Sequence, residues 1–134
     1  MNCYCCSGKT FAECCQPFIK GISKPSTAEE LMRSRYSAYA AIEIEYLLRT
    51  THPSTRKFHD SKTIKEWAES GQWQKLEIIS TEQGGIKDKK GKVEFKAYYL
   101  NSGNQLQIHH EYSNFARELG KWFFVDGKVV KASL

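Results

Sequence analysis

Apolar residues recur at two different periods along this chain, and the change of period divides it. In the first half Ala28, Leu31, Met32, Arg35, Tyr39 and Ala40 recur near the helical repeat. Thr27 with Glu30 forms a candidate capping box, and acids fill the first turn, so this helix is predicted to start at Thr27. A second helix is predicted over Glu43 to Thr50, with Ile44, Leu47 and Leu48 on its buried side. His52-Pro53 ends it, because proline restricts the residue before it. Asp60 caps a third helix that runs through Trp67 and Ala68 and stops at Gly71.

Beyond Gly71 the pattern alternates. Trp73 to Thr81, Lys92 to Leu100, Gln105 to Arg117 and Lys121 to Asp126 read as four strands, with Val93, Phe95, Ala97 and Tyr99 on one face of the second. Short polar turns between them predict an antiparallel meander. Helices first and strands afterwards give an α+β domain over residues 27–134, its helices covering one face of a curved sheet. A connector rich in glycine and serine, Gly21 to Ser26, separates this domain from a small unit over residues 1–20.

At 134 residues and 40% apolar, the chain has room for one compact domain plus that appendage. The net charge of +5 raises the question of nucleic acid, but the basic residues are scattered among acids. The densest group, Lys87, Lys89, Lys90 and Lys92 around Gly91, reads as a hairpin tip, so nucleic-acid association is the weakest functional reading. No apolar run has the length of a signal peptide or membrane span. A cytoplasmic protein without membrane insertion is expected.

All five cysteines lie in the first fifteen residues. The spacing C-x-C-x8-C-C of Cys3, Cys5, Cys14 and Cys15 brings two short ligand pairs together, and four thiolates suit tetrahedral zinc. An iron–sulfur cluster, a redox dithiol and plain reduced thiols are the alternatives. A Cys14–Cys15 disulfide is disfavoured, since adjacent Cα atoms lie about 3.8 Å apart, below the usual range of roughly 4.4 to 6.8 Å. Cys6 is a spare thiol in this scheme, although a swap with Cys5 is compatible with the spacing. Gly8 permits the reversal, Lys9 offsets the charge of a four-thiolate centre, and Phe11 supplies an apolar lid.

The segment Cys3-Tyr4-Cys5-Cys6-Ser7-Gly8-Lys9-Thr10-Phe11-Ala12-Glu13-Cys14-Cys15 resembles the SEC-C motif, the zinc-binding tail of the SecA translocase. Cys6 stands where that motif has glycine. Further along, Arg33-Ser34-Arg35-Tyr36-Ser37-Ala38-Tyr39, His52-Pro53, Glu111-x-Ser113-x-Phe115 and Trp122-x-x-x-Asp126-Gly127 resemble the YchJ family of bacterial proteins. That resemblance covers essentially the whole chain and implies a cone-shaped nuclear transport factor 2-like (NTF2-like) fold beside a zinc knuckle. It supplies no established reaction. Members often carry a second SEC-C motif at the C-terminus, whereas no cysteine follows Cys15 here, so a function needing two knuckles is not expected. In SecA the knuckle docks the export chaperone SecB and ribosomes, which by analogy implies a protein partner in secretion or protein quality control.

The rival reading is a small-molecule binder or enzyme using the cone pocket, since the fold alone does not decide. Its candidate residues are Arg35, Tyr36, His52, Glu111 and Ser113. Strand alternation puts Glu111 and Ser113 on one face with Phe115, and His110 on the other with Tyr112. Each candidate also has a structural reading. Arg35 and Glu111 are expected to form a buried salt bridge, His52 to bond at a helix end, and His109 and His110 to be a surface and a core residue respectively. Tyr36, Tyr39, Trp67, Trp73, Trp122 and Phe124 read most simply as core aromatics.

Overall fold

Local chemistry starts the long helices in the computed structural model, which describes residues 1–130. Thr27 is extended, and its Oγ1 accepts the Glu30 amide at 3.1 Å. The Glu30 carboxylate reaches one residue further back than a capping box requires, to the Ser26 amide at 2.7 Å. The helix so begun, α2 (Ala28–Ala40), follows a single turn, α1 (Gln16–Ile19), and is buried on almost every side, because it lies between the cysteine-rich segment and the sheet. In α3 (Ile44–Arg49) the buried pair is Tyr46 and Leu47, with Ile44 and Leu48 only partly covered. Four-residue α4 (Pro53–Arg56) begins at His52-Pro53, where the sequence pattern marked only an ending.

Asp60 starts α5 (Ser61–Ser70) by accepting the Lys62 amide at 2.8 Å. Gly71 ends it in extended conformation, with φ −111°, so no left-handed turn is involved. Its missing side chain instead makes room for Tyr99, whose ring carbon would lie 3.1 Å from an added Cβ.

Strands β1 (Gln72–Gln83), β2 (Lys90–Leu100), β3 (Leu106–Glu118) and β4 (Lys121–Val129) form one antiparallel sheet in chain order. Gly91, Val93, Phe95 and Ala97 are buried at alternate positions of β2. Edge strand β1 does not alternate cleanly. Bulges between Trp73 and Lys75 and between Ile78 and Ser80 let Trp73, Leu76 and Ile78 all turn inward. Bulges bend a strand and raise its twist, which curls the sheet around α2. The β1–β2 hairpin is tight: a Cβ on Gly91 would lie 2.5 Å from the Cα of Gly84. Lys87 and Lys89 sit in that connection, as expected.

At the opposite edge, β4 is partly covered by the segment between α3 and α4. The Phe124 amide donates to Thr50 O at 2.8 Å, and the His52 amide donates to Phe124 O at 2.7 Å. Leu31, Leu47, Val93 and Phe115 are fully buried in one cluster that also includes Cys3, Cys5 and Cys15. The α+β cone with helices on one sheet face is therefore the observed architecture. The expected end of the larger domain, residues 131–134, lies outside the described residues. Among those described, no helix is long and apolar enough to cross a membrane.

Candidate metal centre and cone cavity

The first fifteen residues fold back on themselves through an Asn2–Thr10 bridge and a 2.9 Å bond from the Cys3 amide to Lys9 O. Two left-handed residues make the reversal, Gly8 at φ +89° and Cys6 at φ +64°. Glycine adopts this region freely, and cysteine does so at a cost. Cys3, Cys5, Cys14 and Cys15 thereby bring their Sγ atoms within 4.8 Å of one another. The Cys5–Cys14 and Cys14–Cys15 sulfurs are 3.7 and 3.9 Å apart. Four sulfurs around an ion at about 2.3 Å stand about 3.8 Å from each other, so this donor set fits a tetrahedral metal. The five cysteines are free thiols, and exposed Cys6 lies outside the cluster.

Neighbouring groups orient the set. Ser7 Oγ is 3.2 Å from Cys14 Sγ, Ser37 Oγ on α2 is 3.5 Å from Cys3 Sγ, and Arg33, paired with Glu29, donates to Cys5 O at 2.7 Å. Hydrogen bonding from Cys15, then from Ser7, Cys3 and Cys14, overcomes burial and brings the Cys5 thiol down to about 4. The same bond to Cys5, with burial, pushes Cys15 up, and burial raises Cys14. A cation beside Cys14 and Cys15 would favour loss of the protons that burial holds on them. The cluster can hold a metal ion.

The cone is hollow. Between α2, α5 and the sheet lies a cavity of about 210 Å³ whose walls are largely aromatic, with Tyr36, Tyr39, Trp67, Trp73, Phe95 and Phe124 around it. Trp67 and Trp73 meet edge to face at 5.4 Å. Tyr36 and Phe95 belong to the buried core, Tyr39, Trp73 and Phe124 pack against it, and all five also line the cavity. The polar groups are Arg35 from α2, His59 from the loop before α5, and His109, Glu111 and Ser113 at successive inward positions of β3. His109 Nε2 and Glu111 Oε1 are 2.9 Å apart, and Ser113 Oγ donates to Glu111 Oε2. Burial opposes ionisation of Glu111, yet the bonds from His109 and Ser113 and the charges of His109 and Arg35 hold it below the usual carboxylate range. Burial, aided by Arg35, lowers His59. Burial raises Tyr36 and Tyr39, so both phenols stay protonated. A carboxylate kept ionised beside a histidine can accept a hydrogen bond or a proton from a bound molecule.

Four of the five expected pocket residues, Arg35, Tyr36, Glu111 and Ser113, therefore line one cavity, and His52 does not. His52 caps α4 through the Ser54 amide at 3.1 Å, and its Nε2 meets Glu118. The expected Arg35–Glu111 salt bridge is absent among the described residues. Arg35 Nη1 is taken by Leu47 O at 2.9 Å and Thr50 Oγ1 at 2.7 Å, because α3 ends with free carbonyls beside it, while Glu111 is satisfied by its own strand neighbours. The two histidines exchange the expected roles. His109 faces the cavity, and His110 lies on the outer face, 2.7 Å from Glu94. Period-two alternation alone puts His109 beside Glu111, so that signal was present in the sequence. His59 carried no such signal, since it lies on an irregular loop.

A family profile described as the middle NTF2-like domain of YchJ matches residues 27–127. A UPF0225 protein of Geobacter sulfurreducens is 48% identical over 129 residues, which cover 96% of this chain and 80% of that protein. Another, of Actinobacillus succinogenes, is 39% identical over 95% of this chain and 81% of its own length. The solution structure of a SEC-C motif-containing protein from Rhodopseudomonas palustris superposes with a TM-score of 0.89 at 37% identity, covering 98% of this chain and all of that one. A crystal structure of a SEC-C motif-containing protein from Psychrobacter arcticus gives 0.78 at 33% identity, covering 96% and 77%. With the cysteine cluster against Arg33 and Ser37 on one side of α2 and the hollow cone against Arg35, Tyr36 and Tyr39 on the other, the chain belongs to the YchJ (UPF0225) family.

Proposed function

We propose that this is a cytoplasmic zinc-binding protein in which Cys3, Cys5, Cys14 and Cys15 hold one zinc ion and the cone takes a small organic ligand. The observation that carries the metal reading is the sulfur spacing, 3.7 and 3.9 Å, at the edge length of a zinc tetrahedron. Zinc in a closed four-sulfur set supplies a cross-link and no open position for substrate, so its role is structural. It ties residues 1–20 to α2 through Cys3–Ser37 and Cys5–Arg33. The aromatic cavity with Arg35 and Glu111 in its wall supports the ligand reading. A second role, docking of a protein partner in secretion or quality control, is favoured by Tyr4. It is 37% exposed, packs edge-on to Phe11, and stands near exposed Lys9 at the tip of the knuckle. Elemental analysis of reduced protein expressed in zinc-supplemented medium tests the metal. About one zinc per chain is expected, with Cys14→Ser lowering occupancy and Cys6→Ser leaving it unchanged. Zinc-free protein that keeps the native hydrogen-exchange protection of residues 1–20 would refute the reading.

A further inference from the structure

Arg35 and Glu111, opposite in charge, line one cavity without pairing with each other, and this narrows what it accepts. Arg35 is only 6% exposed, its guanidinium carbon lies 4.6 Å over the Phe124 ring, and its protein hydrogen bonds all use Nη1. Nε and Nη2 have no acceptor among the described residues. Since no fully covered side-chain nitrogen or oxygen there lacks a partner, both must touch open volume, and at this depth that volume is the cavity. Glu111, 15% exposed, lines the same space, and each of its oxygens takes one donor and keeps a lone pair. The two residues feel each other's charge but form no ion pair. A bound carboxylate at Arg35 would confront Glu111, and a bound ammonium at Glu111 would confront Arg35. A neutral molecule that accepts at one end and donates at the other satisfies both. At about 210 Å³ the space is below the roughly 300 to 1,000 Å³ of drug-sized sites, which limits the occupant to one substituted ring among Tyr36, Tyr39, Trp67 and Trp73.

We propose that the cone binds an uncharged, planar single-ring compound with a carbonyl-type acceptor at one end, received by Arg35 Nε and Nη2, and an O–H or N–H donor at the other, received by Glu111. This inference rests on the small-molecule reading of the cone. Calorimetry or ligand-observed NMR with five probes tests it: 4-hydroxybenzamide, benzamide, phenol, 4-hydroxybenzoate and 4-hydroxybenzylamine. 4-Hydroxybenzamide should bind at least about tenfold more tightly than each of the others, which lose a bond to a charged group or add an unbalanced charge. Glu111→Gln should shift preference toward 4-hydroxybenzoate, because it leaves Arg35 uncompensated. Ala97→Leu, which fills the cavity without altering its polar groups, should abolish binding of 4-hydroxybenzamide. Equal binding of the charged probes to the native protein would overturn the proposed class. Binding that survives Ala97→Leu would overturn the site. Failure of all five probes to bind folded, zinc-loaded protein would remove the small-molecule reading itself, and this inference with it.

Discussion

Gly127→Ala tests how firmly Glu111 is held, because the two share a space that admits no methyl group. Gly127 pairs with Ser113 across β3 and β4, and an added Cβ would overlap the Glu111 carboxylate, with Cδ only 2.5 Å away. The carboxylate must then leave, and it takes with it the bonds from His109 and Ser113. Hydrogen bonds to a charged group contribute about 1.5 to 3 kcal/mol each, so losing both costs about 3 to 6 kcal/mol if nothing relaxes. Movement of β4 recovers part of that, and Gly→Ala gains about 0.4 to 1 kcal/mol by restricting the unfolded chain. A net loss of about 2 kcal/mol is expected, or roughly 8 °C in Tm for a domain of this size. Thermal and urea denaturation followed by circular dichroism would measure it. In a Glu111→Ala background the same glycine substitution should be nearly neutral, since the obstacle is gone. An equal loss in both backgrounds, or no loss in the native one, would show that the carboxylate is free to move and that the cavity's polar end is not preorganised.

Two further outcomes follow from the site. Cys6→Gly should keep zinc occupancy and raise stability by up to about 1 kcal/mol, since Cys6 sits at φ +64°; metal loss in this variant would show that Cys6 is a ligand. The depressed Glu111 pKa means the unfolded chain binds more protons in acid, so its stabilising contribution is full above the ordinary value near 4.5 and is lost as pH falls through the folded value. Denaturation midpoints from pH 6 to pH 3 should therefore fall less steeply for Glu111→Gln than for the native protein, and identical slopes would refute the assignment.

Much of this architecture was legible in the sequence because its signals are local and repeated. The Thr27 cap, the alternation of Val93, Phe95 and Ala97, and the spacing of the cysteines each depend on neighbours within a few residues. What escaped depends on contacts that have no period. The four-residue helices are too short to show one, and the β1 bulges interrupt the alternation that identifies a strand. Arg35 illustrates the harder case. Its placement on an apolar helix face was readable, but its partners, Leu47 O and Thr50 Oγ1, are set by where α3 happens to end. His109 was readable in principle, since it lies two residues before Glu111 on the same strand.

The two borders of the sheet bear on how the protein behaves in a crowded solution. A border strand with a regular row of free amides and carbonyls is a template on which a stray chain can add itself, one copy after another. On β1 the two bulges break that row, and Lys75, Glu77 and Glu82 set charges along it. On β4 the row is interrupted where Thr50 and His52 occupy the groups of Phe124 and where Thr55 Oγ1 occupies Val125 O at 2.7 Å. A four-stranded sheet curved enough to enclose a cavity thus keeps itself from growing sideways: the distortion that makes the hollow on one side also spoils the template on the other.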